Sequence, residues 1–313
     1  MTHYLASCVQ PETPKPSDVR DQPQAPAAAV AFCVSSYKAG TRVLRGTVTI
    51  RPRMNDTPFS MQDIPGKGKG LIATRPIAQG ELILAEKPLF FQSLRHSNAT
   101  VLAALTSLSD ADQRRYFSLA NAWKGIHPPP IGIFITNALP CGENDAGKGV
   151  NAPKAGIFLD GSRFNSSCQP NVNNYWNEDL QKITFWATSD IASGEELCMC
   201  YGDTFKTRED RRRQLQSSFR FVCQCVACSK EGEALRASDE RRAAIARLYD
   251  EIEASGNIPS LGVREVKMAL RLLAEENLLE RSVSFCIDAI QFCVFRTSRM
   301  RKHGPKKHWK YPS

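Results

Sequence analysis

Three cysteines stand within six residues at Cys223-Gln224-Cys225-Val226-Ala227-Cys228, and no other feature constrains the fold of this 313-residue chain so tightly. Thiols at that spacing, in a chain without secretory features, point to a zinc site rather than to disulfides. A structural zinc takes four ligands, with thiolates at ~2.3 Å, and the triplet supplies three. The fourth must come from a distant part of the sequence, so the chain has to fold back on this point. Cys141, Cys168, Cys198 and Cys200 are the candidates. Cys198 and Cys200 alternate within the strand-like ELCMCY and read as small core residues on one face. Cys286 and Cys293 lie on an apolar helix face and also read as core. Cys168 belongs to a polar segment, GSRFNSSCQPN from Gly161 to Asn171, where a thiol has the least packing reason to be. It is the preferred fourth ligand.

Composition limits the partners. Hydrophobic residues make up 42% of the chain, enough for a sizeable core. No apolar run approaches the ~18 residues that would span a bilayer. The weakly signal-like Ala25–Val34 follows acidic residues, where a signal peptide would carry basic ones. The expectation is an intracellular protein of nucleus and/or cytoplasm with no membrane partner. Seven of the nine net positive charges sit after Phe295, from Arg296 to Lys310, in a stretch without an acid. The body is therefore nearly neutral, and nucleic-acid contact is expected only through the basic tail.

Residues 1–57, rich in Pro, Ala and polar side chains, read as a disordered N-terminal segment with a loosely indicated strand at Arg42–Ile50. A strand-rich core follows over 58–204. FSMQDI, GLIATRPI and ELILAEKPLFF read as strands separated by PGKGKG and AQG turns. Asn98–Lys124 reads as one helix ended by Pro128-Pro129-Pro130, after which IGIFIT, GIFLD, KITFWAT and ELCMCY read as strands. The metal-ligand segment occupies 205–232, a helical region 233–294, and the basic tail 295–313. In the helical region Ile245, Leu248 and Ile252 share one face, and Leu279, Val283, Cys286, Ile290 and Cys293 share another.

Two further stretches bear on chemistry. Gly66-Lys67-Gly68-Lys69-Gly70 lacks both the Ser/Thr of a P-loop and the G-x-G-x-x-G spacing before a helix. It reads as a glycine-rich hairpin whose backbone a ligand can approach closely. The stretch from Gly194 to Asp203 ends a strand in Tyr201 followed by Gly202.

In their order, GKGLIATRPIAQGE, RFNSSCQPN, GEELCMCYGD and CQCVAC resemble the SET-domain protein lysine methyltransferases, over about Phe59–Cys228. The resemblance is to SET proteins whose CxCxxC post-SET segment precedes a helical region. Relatives of that kind often carry an inserted MYND zinc finger, which is absent here because residues 92–150 contain only Cys141. The fold implied is mainly β with α: short strands with a pseudoknot, a helical insertion and a C-terminal helical region. The implied function is S-adenosylmethionine-dependent methyl transfer to lysine of a protein substrate, histone or non-histone. A catalytically weak SET module acting as a protein-binding or chromatin-associated adaptor is the alternative. The resemblance assigns Tyr201 to catalysis, and Gly68, Lys69, Gly70, Asn137, Asn165, Ser166 and Phe221 to the cofactor. It assigns zinc to Cys168, Cys223, Cys225 and Cys228, with Phe158 and Tyr175 as walls of a lysine channel. Ser166 stands where the family carries histidine.

Overall fold

The computed structural model describes residues 57–93, 95–142, 152–255 and 258–302. The expected disordered segment up to residue 56, the strand at Arg42–Ile50 and the tail beyond 302 lie outside them. The chain forms two compact units. One comprises the residues up to Asp203 with Arg212–Cys225, the other Thr204–Arg211 with the residues from Val226 onward.

The first unit is assembled from short strands. β1 (Phe59–Ile64) and β2 (Gly68–Ala73) form an antiparallel hairpin with Phe59 opposite Ala73. Its turn is dictated locally: Lys67 N–H bonds Ile64 C=O at 3.0 Å, and Gly66 sits at φ +74°. Pro65 at the second position and glycine at the third are what a type II turn requires. β3 (Leu82–Glu86), β8 (Val172–Asn177) and β9 (Lys182–Ala187) form an antiparallel sheet in the order β3-β9-β8. β4 (Phe90–Ser93), β5 (Leu139–Cys141) and β6 (Lys154–Ile157) form another in the order β4-β6-β5. The last pair consists of two-residue strands, β7 (Asn165–Ser166) and β10 (Cys198–Met199), which run parallel. Leu71, Ile83, Phe158, Phe164, Ile183, Phe185 and Leu197 fill the core between these strands.

The insertion differs from the sequence reading. The expected single helix over 98–124 is two: α1 (Asn98–Thr106) and α2 (Asp110–Phe117). Ser97 and Ser109 cap them, each accepting a backbone N–H from three residues on, so the serines between the leucines restart the helix. IGIFIT, read as a strand, lies in α3 (Pro129–Asn137). The prolines that were expected to end a helix begin one. At the first positions of a helix the missing N–H costs nothing and the fixed φ is already helical. The β-branched run misleads because Ile131, Gly132, Ile133, Phe134 and Ile135 are all buried, which erases the helical period. β8 was not anticipated, since VNNYWN carries polar residues on both faces. ELCMCY contributes only Cys198 and Met199 to a strand, and Cys200 lies beyond it, partly exposed.

α4 (Arg208–Phe219) leads to the cysteine triplet. The second unit then packs α5 (Gly232–Ala254), α6 (Pro259–Glu275) and α7 (Ser282–Lys302). Ile245, Leu248 and Ile252 are buried as expected. The second expected face is not core: Cys286 and Cys293 are exposed, as are Leu279, Val283 and Ile290. Among the α7 residues with described burial, the buried ones are Phe285 and Phe292, two rings seven residues apart that outcompete the smaller stripe. Gly262 of α6 makes room for one of them, because a Cβ there would stand 2.3 Å from the Phe292 ring. The helix also continues to Lys302, past the boundary expected at Val294.

Candidate active site

The polar segment that follows β6 crosses the strand leading to Tyr201, and side chains hold the crossing where the strands are too short to do so. Cys198 and Met199 pair with Asn165 and Ser166, and Ser167 N–H adds a bond to Met199 C=O at 2.9 Å. Asn171 stitches the crossing from the other end. It donates to Glu196 C=O at 2.9 Å and accepts from Cys198 N–H at 2.8 Å. Tyr201 emerges at the end of this crossing. Its hydroxyl donates to Phe164 C=O at 2.5 Å, its N–H reaches Ser166 Oγ at 3.4 Å, and its ring lies 5.0 Å from that of Phe219. Burial, reinforced by Cys198 and Glu196, holds the Tyr201 pKa above that of an ordinary phenol. The hydroxyl therefore stays protonated.

The segment is anchored upstream by Glu86, at the end of β3. Its carboxylate accepts Gly161 N–H at 2.8 Å and Asp160 N–H at 3.2 Å. Burial raises the Glu86 pKa, with the N–H bonds acting against it. Gly161 is required there, since a Cβ would meet the Phe185 ring at 2.7 Å. Phe164 stacks on the same ring at 4.4 Å, so the carbonyl that receives Tyr201 is fixed by packing as well as by hydrogen bonds.

The glycine hairpin lies against Asn165. The Asn165 amide nitrogen donates to Glu196 Oε1 at 2.9 Å and lies 3.4 Å from Lys69 C=O. A Cβ on Gly70 would stand 2.6 Å from that nitrogen, so Gly70 is glycine to admit a protein side chain. Gly68, at φ +75°, has nothing among the described residues within 4 Å of its Cβ position. Lys69 points away to an exposed pair with Asp63 at 3.0 Å. Asn137 is buried at the end of α3, its amide nitrogen bonded to Ala120 C=O and Ile133 C=O, and Ser162 Oγ bonds its backbone carbonyl at 3.0 Å. Phe221 is partly exposed just before the cysteines. Of the two expected channel walls, Tyr175 is half exposed on β8, whereas Phe158 is fully buried with its ring near Trp176. Phe158 packs in the hydrophobic core of the first unit.

Cys168, Cys223, Cys225 and Cys228 come together as a buried group whose sulfurs all lie within 4.8 Å of one another. Cys168 and Cys223 sulfurs are 4.0 Å apart, and Cys168 N–H points to Cys225 Sγ at 3.3 Å. Four ligands at ~2.3 Å around a tetrahedral zinc would place sulfurs roughly 3.8 Å apart, so the set fits that ion. Arg212 Nε fixes Cys223 C=O at 3.0 Å, and Arg211 approaches Cys228 Sγ at 3.8 Å. Burial pushes the thiols of Cys141 and Cys198, outside this group, up to about 12.

Comparison with known proteins agrees with this geometry. The SET domain family model matches residues 68–202. Histone-lysine N-methyltransferase set5 of Schizosaccharomyces pombe is 34% identical over 257 residues, covering 79% of this chain and 77% of that protein. The chain belongs to the SET-domain protein lysine methyltransferase family. Shorter matches reach human histone-lysine N-methyltransferase SMYD3, 37% identical over 76 residues, and human protein-lysine N-trimethyltransferase SMYD5, 31% identical over 113. These cover 24% and 35% of this chain, but only 17% and 27% of those proteins. In this SET domain the crossing of β7 with β10 is the pseudoknot, and it carries the residues that sequence reasoning overlooked. Asn171 closes the polar segment that begins at Gly161, and Glu196 precedes the last strand. Glu86 is an acid ending an apolar strand, a position where a surface residue is the ordinary expectation.

Proposed function

We propose that the chain transfers a methyl group from S-adenosylmethionine to the side-chain amine of a lysine in a protein substrate. The observation that carries this reading is the β7–β10 crossing, which sets the Tyr201 hydroxyl on Phe164 C=O beside Asn165. S-adenosylmethionine, when bound, supplies a sulfonium methyl that a neutral amine takes up by displacement. Gly68, Lys69 and Gly70 offer backbone to it, Asn165 and Ser166 line the crossing, and Asn137 and Phe221 are assigned to its other sides. The space at Gly68 among the described residues and the polar amide of Asn165 suit such a ligand.

A free lysine must shed its proton first, at a cost of about 4.6 kcal/mol at pH 7. Desolvation in a closed channel lowers that cost, so a dedicated base is not needed. Tyr201 is unsuited to be one, because its raised pKa keeps the proton on oxygen. That proton is committed to Phe164 C=O, which leaves the phenolic lone pairs to accept an amine N–H and aim its nitrogen. The catalysis this supports is chiefly positional. Tyr175 remains the one assigned channel wall with accessible surface.

The four cysteines would hold a structural zinc. Metal analysis is expected to find one zinc per chain, and Cys168→Ser to lose it. Undiminished zinc in that variant reassigns the fourth ligand, with Cys200 first to be tested.

Histone and non-histone lysines both suit this reading, as do nucleus and cytoplasm. A second reading, a binding module without catalysis, is favoured by Ser166 alone, in place of the family histidine. The serine is buried and its hydroxyl takes the Tyr201 N–H, which supports a backbone-organising role that serine can fill. Labelled-methyl transfer from S-adenosylmethionine into a mixed protein extract tests both readings. Transfer by wild type is expected. A wild type that binds cofactor but labels nothing, indistinguishable from Tyr201→Phe, sinks the enzyme reading in favour of the module.

A further inference from the structure

Glu196 lies between two of the segments assigned to the cofactor. One carboxylate oxygen accepts from the Asn165 amide nitrogen at 2.9 Å, and the other meets Lys67 Nζ at 2.5 Å. The pair is half-buried. Burial works against the Lys67 ammonium, but the hydrogen bond and charge of Glu196 outweigh it and raise its pKa. The carboxylate thereby links the hairpin turn after β1 to the β7–β10 crossing.

The consequence falls on Asn165. An amide has two donor hydrogens on nitrogen and acceptor capacity on oxygen, and which end faces a ligand depends on what holds the other. Here the nitrogen faces Glu196 Oε1 and Lys69 C=O, and Gly70 leaves space for that orientation only because it has no Cβ. A flipped amide would set its oxygen against two acceptors, which is electrostatically unfavourable. The oxygen is left as the ligand-facing end, an acceptor with a carboxylate behind it. Such an end suits a cationic N–H donor.

We propose that Glu196 is a positioning residue: it fixes the Asn165 amide so that Oδ1 is presented to the ammonium at the amino-acid end of S-adenosylmethionine, with Lys67 holding the carboxylate in place. The proposal rests on the methyltransferase reading of the site. It departs from a purely structural role in one respect: the effect of Glu196 runs through Asn165 and through one end of the ligand.

The test uses the full-length chain, its zinc content checked, and two probes. S-adenosylhomocysteine, titrated calorimetrically, carries the amino-acid end. 5′-Deoxy-5′-methylthioadenosine, followed by ligand-observed NMR at millimolar concentration, lacks it. Glu196→Leu is expected to weaken S-adenosylhomocysteine about tenfold, the scale of one hydrogen bond, and to leave methylthioadenosine unchanged. Glu196→Gln keeps an acceptor for the amide, and is expected to stay within about threefold of wild type, which also covers the case that the leucine variant fails to fold. Asn165→Ala should weaken S-adenosylhomocysteine by a similar factor, and adding Glu196→Leu to it should cost little more, since residues that act in series are not additive. Equal losses for both probes, fully additive losses in the double variant, or a Glu196→Gln variant as weak as the leucine one would each overturn the proposal. A wild type that binds neither probe overturns the cofactor reading itself.

Discussion

In the SET unit the buried and half-buried polar groups join parts of the chain that are far apart in sequence. Lys67 meets Glu196 across 129 positions, Asn165 meets Lys69 across 96, and Glu86 meets Gly161 across 75. In the helical unit the buried acid Glu276 is held by Ser238, Arg241 and Arg242 at separations of only 34 to 38. The contrast follows from element length. A two-residue strand such as β7 or β10 has almost no ladder of its own, so side chains must satisfy and fix its neighbourhood. Helices of 17 to 23 residues satisfy their own backbone, and packing with ion clusters such as that at Glu276 registers them. Damage to polar groups should therefore be read out as function in the first unit and as stability in the second.

The largest effect tests the second half of that statement. Glu276→Ala removes the carboxylate that Arg242 Nε bonds at 2.9 Å, on an arginine with no exposed surface. Breaking a buried pair in this way costs about 3–5 kcal/mol, and urea unfolding followed by far-ultraviolet circular dichroism should register it. At temperatures where the variant is folded, its affinity for S-adenosylhomocysteine should match wild type. A variant of normal stability but poor affinity would erase the contrast.

Tyr201→Phe tests the first half. The ring keeps its place against Phe219, and only the hydroxyl that would aim the amine is lost. Misorientation of a reacting group costs roughly 100-fold, so single-turnover transfer should fall by that order while cofactor affinity holds and stability falls by only about 1 kcal/mol, the scale of the lost bond to Phe164 C=O. Equal falls in stability and rate would make Tyr201 one more structural residue.

Gly70→Ala should land between them. The added methyl meets the Asn165 amide nitrogen at 2.6 Å and Ile64 Cγ1 at 2.7 Å, and both are side-chain atoms that can yield. Overpacking of this kind costs about 1–3 kcal/mol, and the displaced amide should carry part of it into cofactor affinity. Calorimetry beside thermal unfolding separates the two shares. A loss of stability with no change in affinity would show that Asn165 can move without consequence.

How far this was legible in the sequence follows the same division. The cysteine triplet, the polar segment with Cys168, and the short strand that leads to Tyr201 were readable, because each needs unusual residue types at fixed spacing. The Pro65-Gly66 turn was readable for the same reason. Glu86, Asn171 and Glu196 were not, because a carboxylate or amide that holds a distant backbone looks, in sequence, like any surface residue. The helix at Pro129–Asn137 was missed because complete burial removes the periodicity on which a helix is recognised. The stripe of Cys286, Ile290 and Cys293 was misplaced for the opposite reason. It has good periodicity, but Phe285 and Phe292 offer more apolar area on another face and win the core.

The smallest expected effect gives the contrast a sign. Glu86 is a half-buried carboxylate and Glu276 a fully buried one, and burial pushes both toward the neutral form. At Glu86 burial prevails over the backbone N–H bonds and the pKa is raised. At Glu276 the bonds from Ser238 and Arg241, with the charges of Arg242 and Lys230, prevail over burial and the pKa is lowered. Linkage then runs in opposite directions. The contribution of Glu276 is fully present above the ordinary glutamate range, about 4.3, and is lost as pH falls through its lower folded value. That of Glu86 is greatest below the ordinary range and declines as pH rises toward its higher folded value. Urea unfolding at successive pH values should show Glu276→Gln flattening the acid side of the stability profile. Glu86→Gln should flatten the mildly acidic side, where wild type weakens on going up in pH. Slopes of the same sign in the two variants would mean that the N–H groups of Asp160 and Gly161 hold Glu86 as firmly as the arginines hold Glu276. The polar anchoring of the SET unit would then be as much a matter of stability as that of its neighbour.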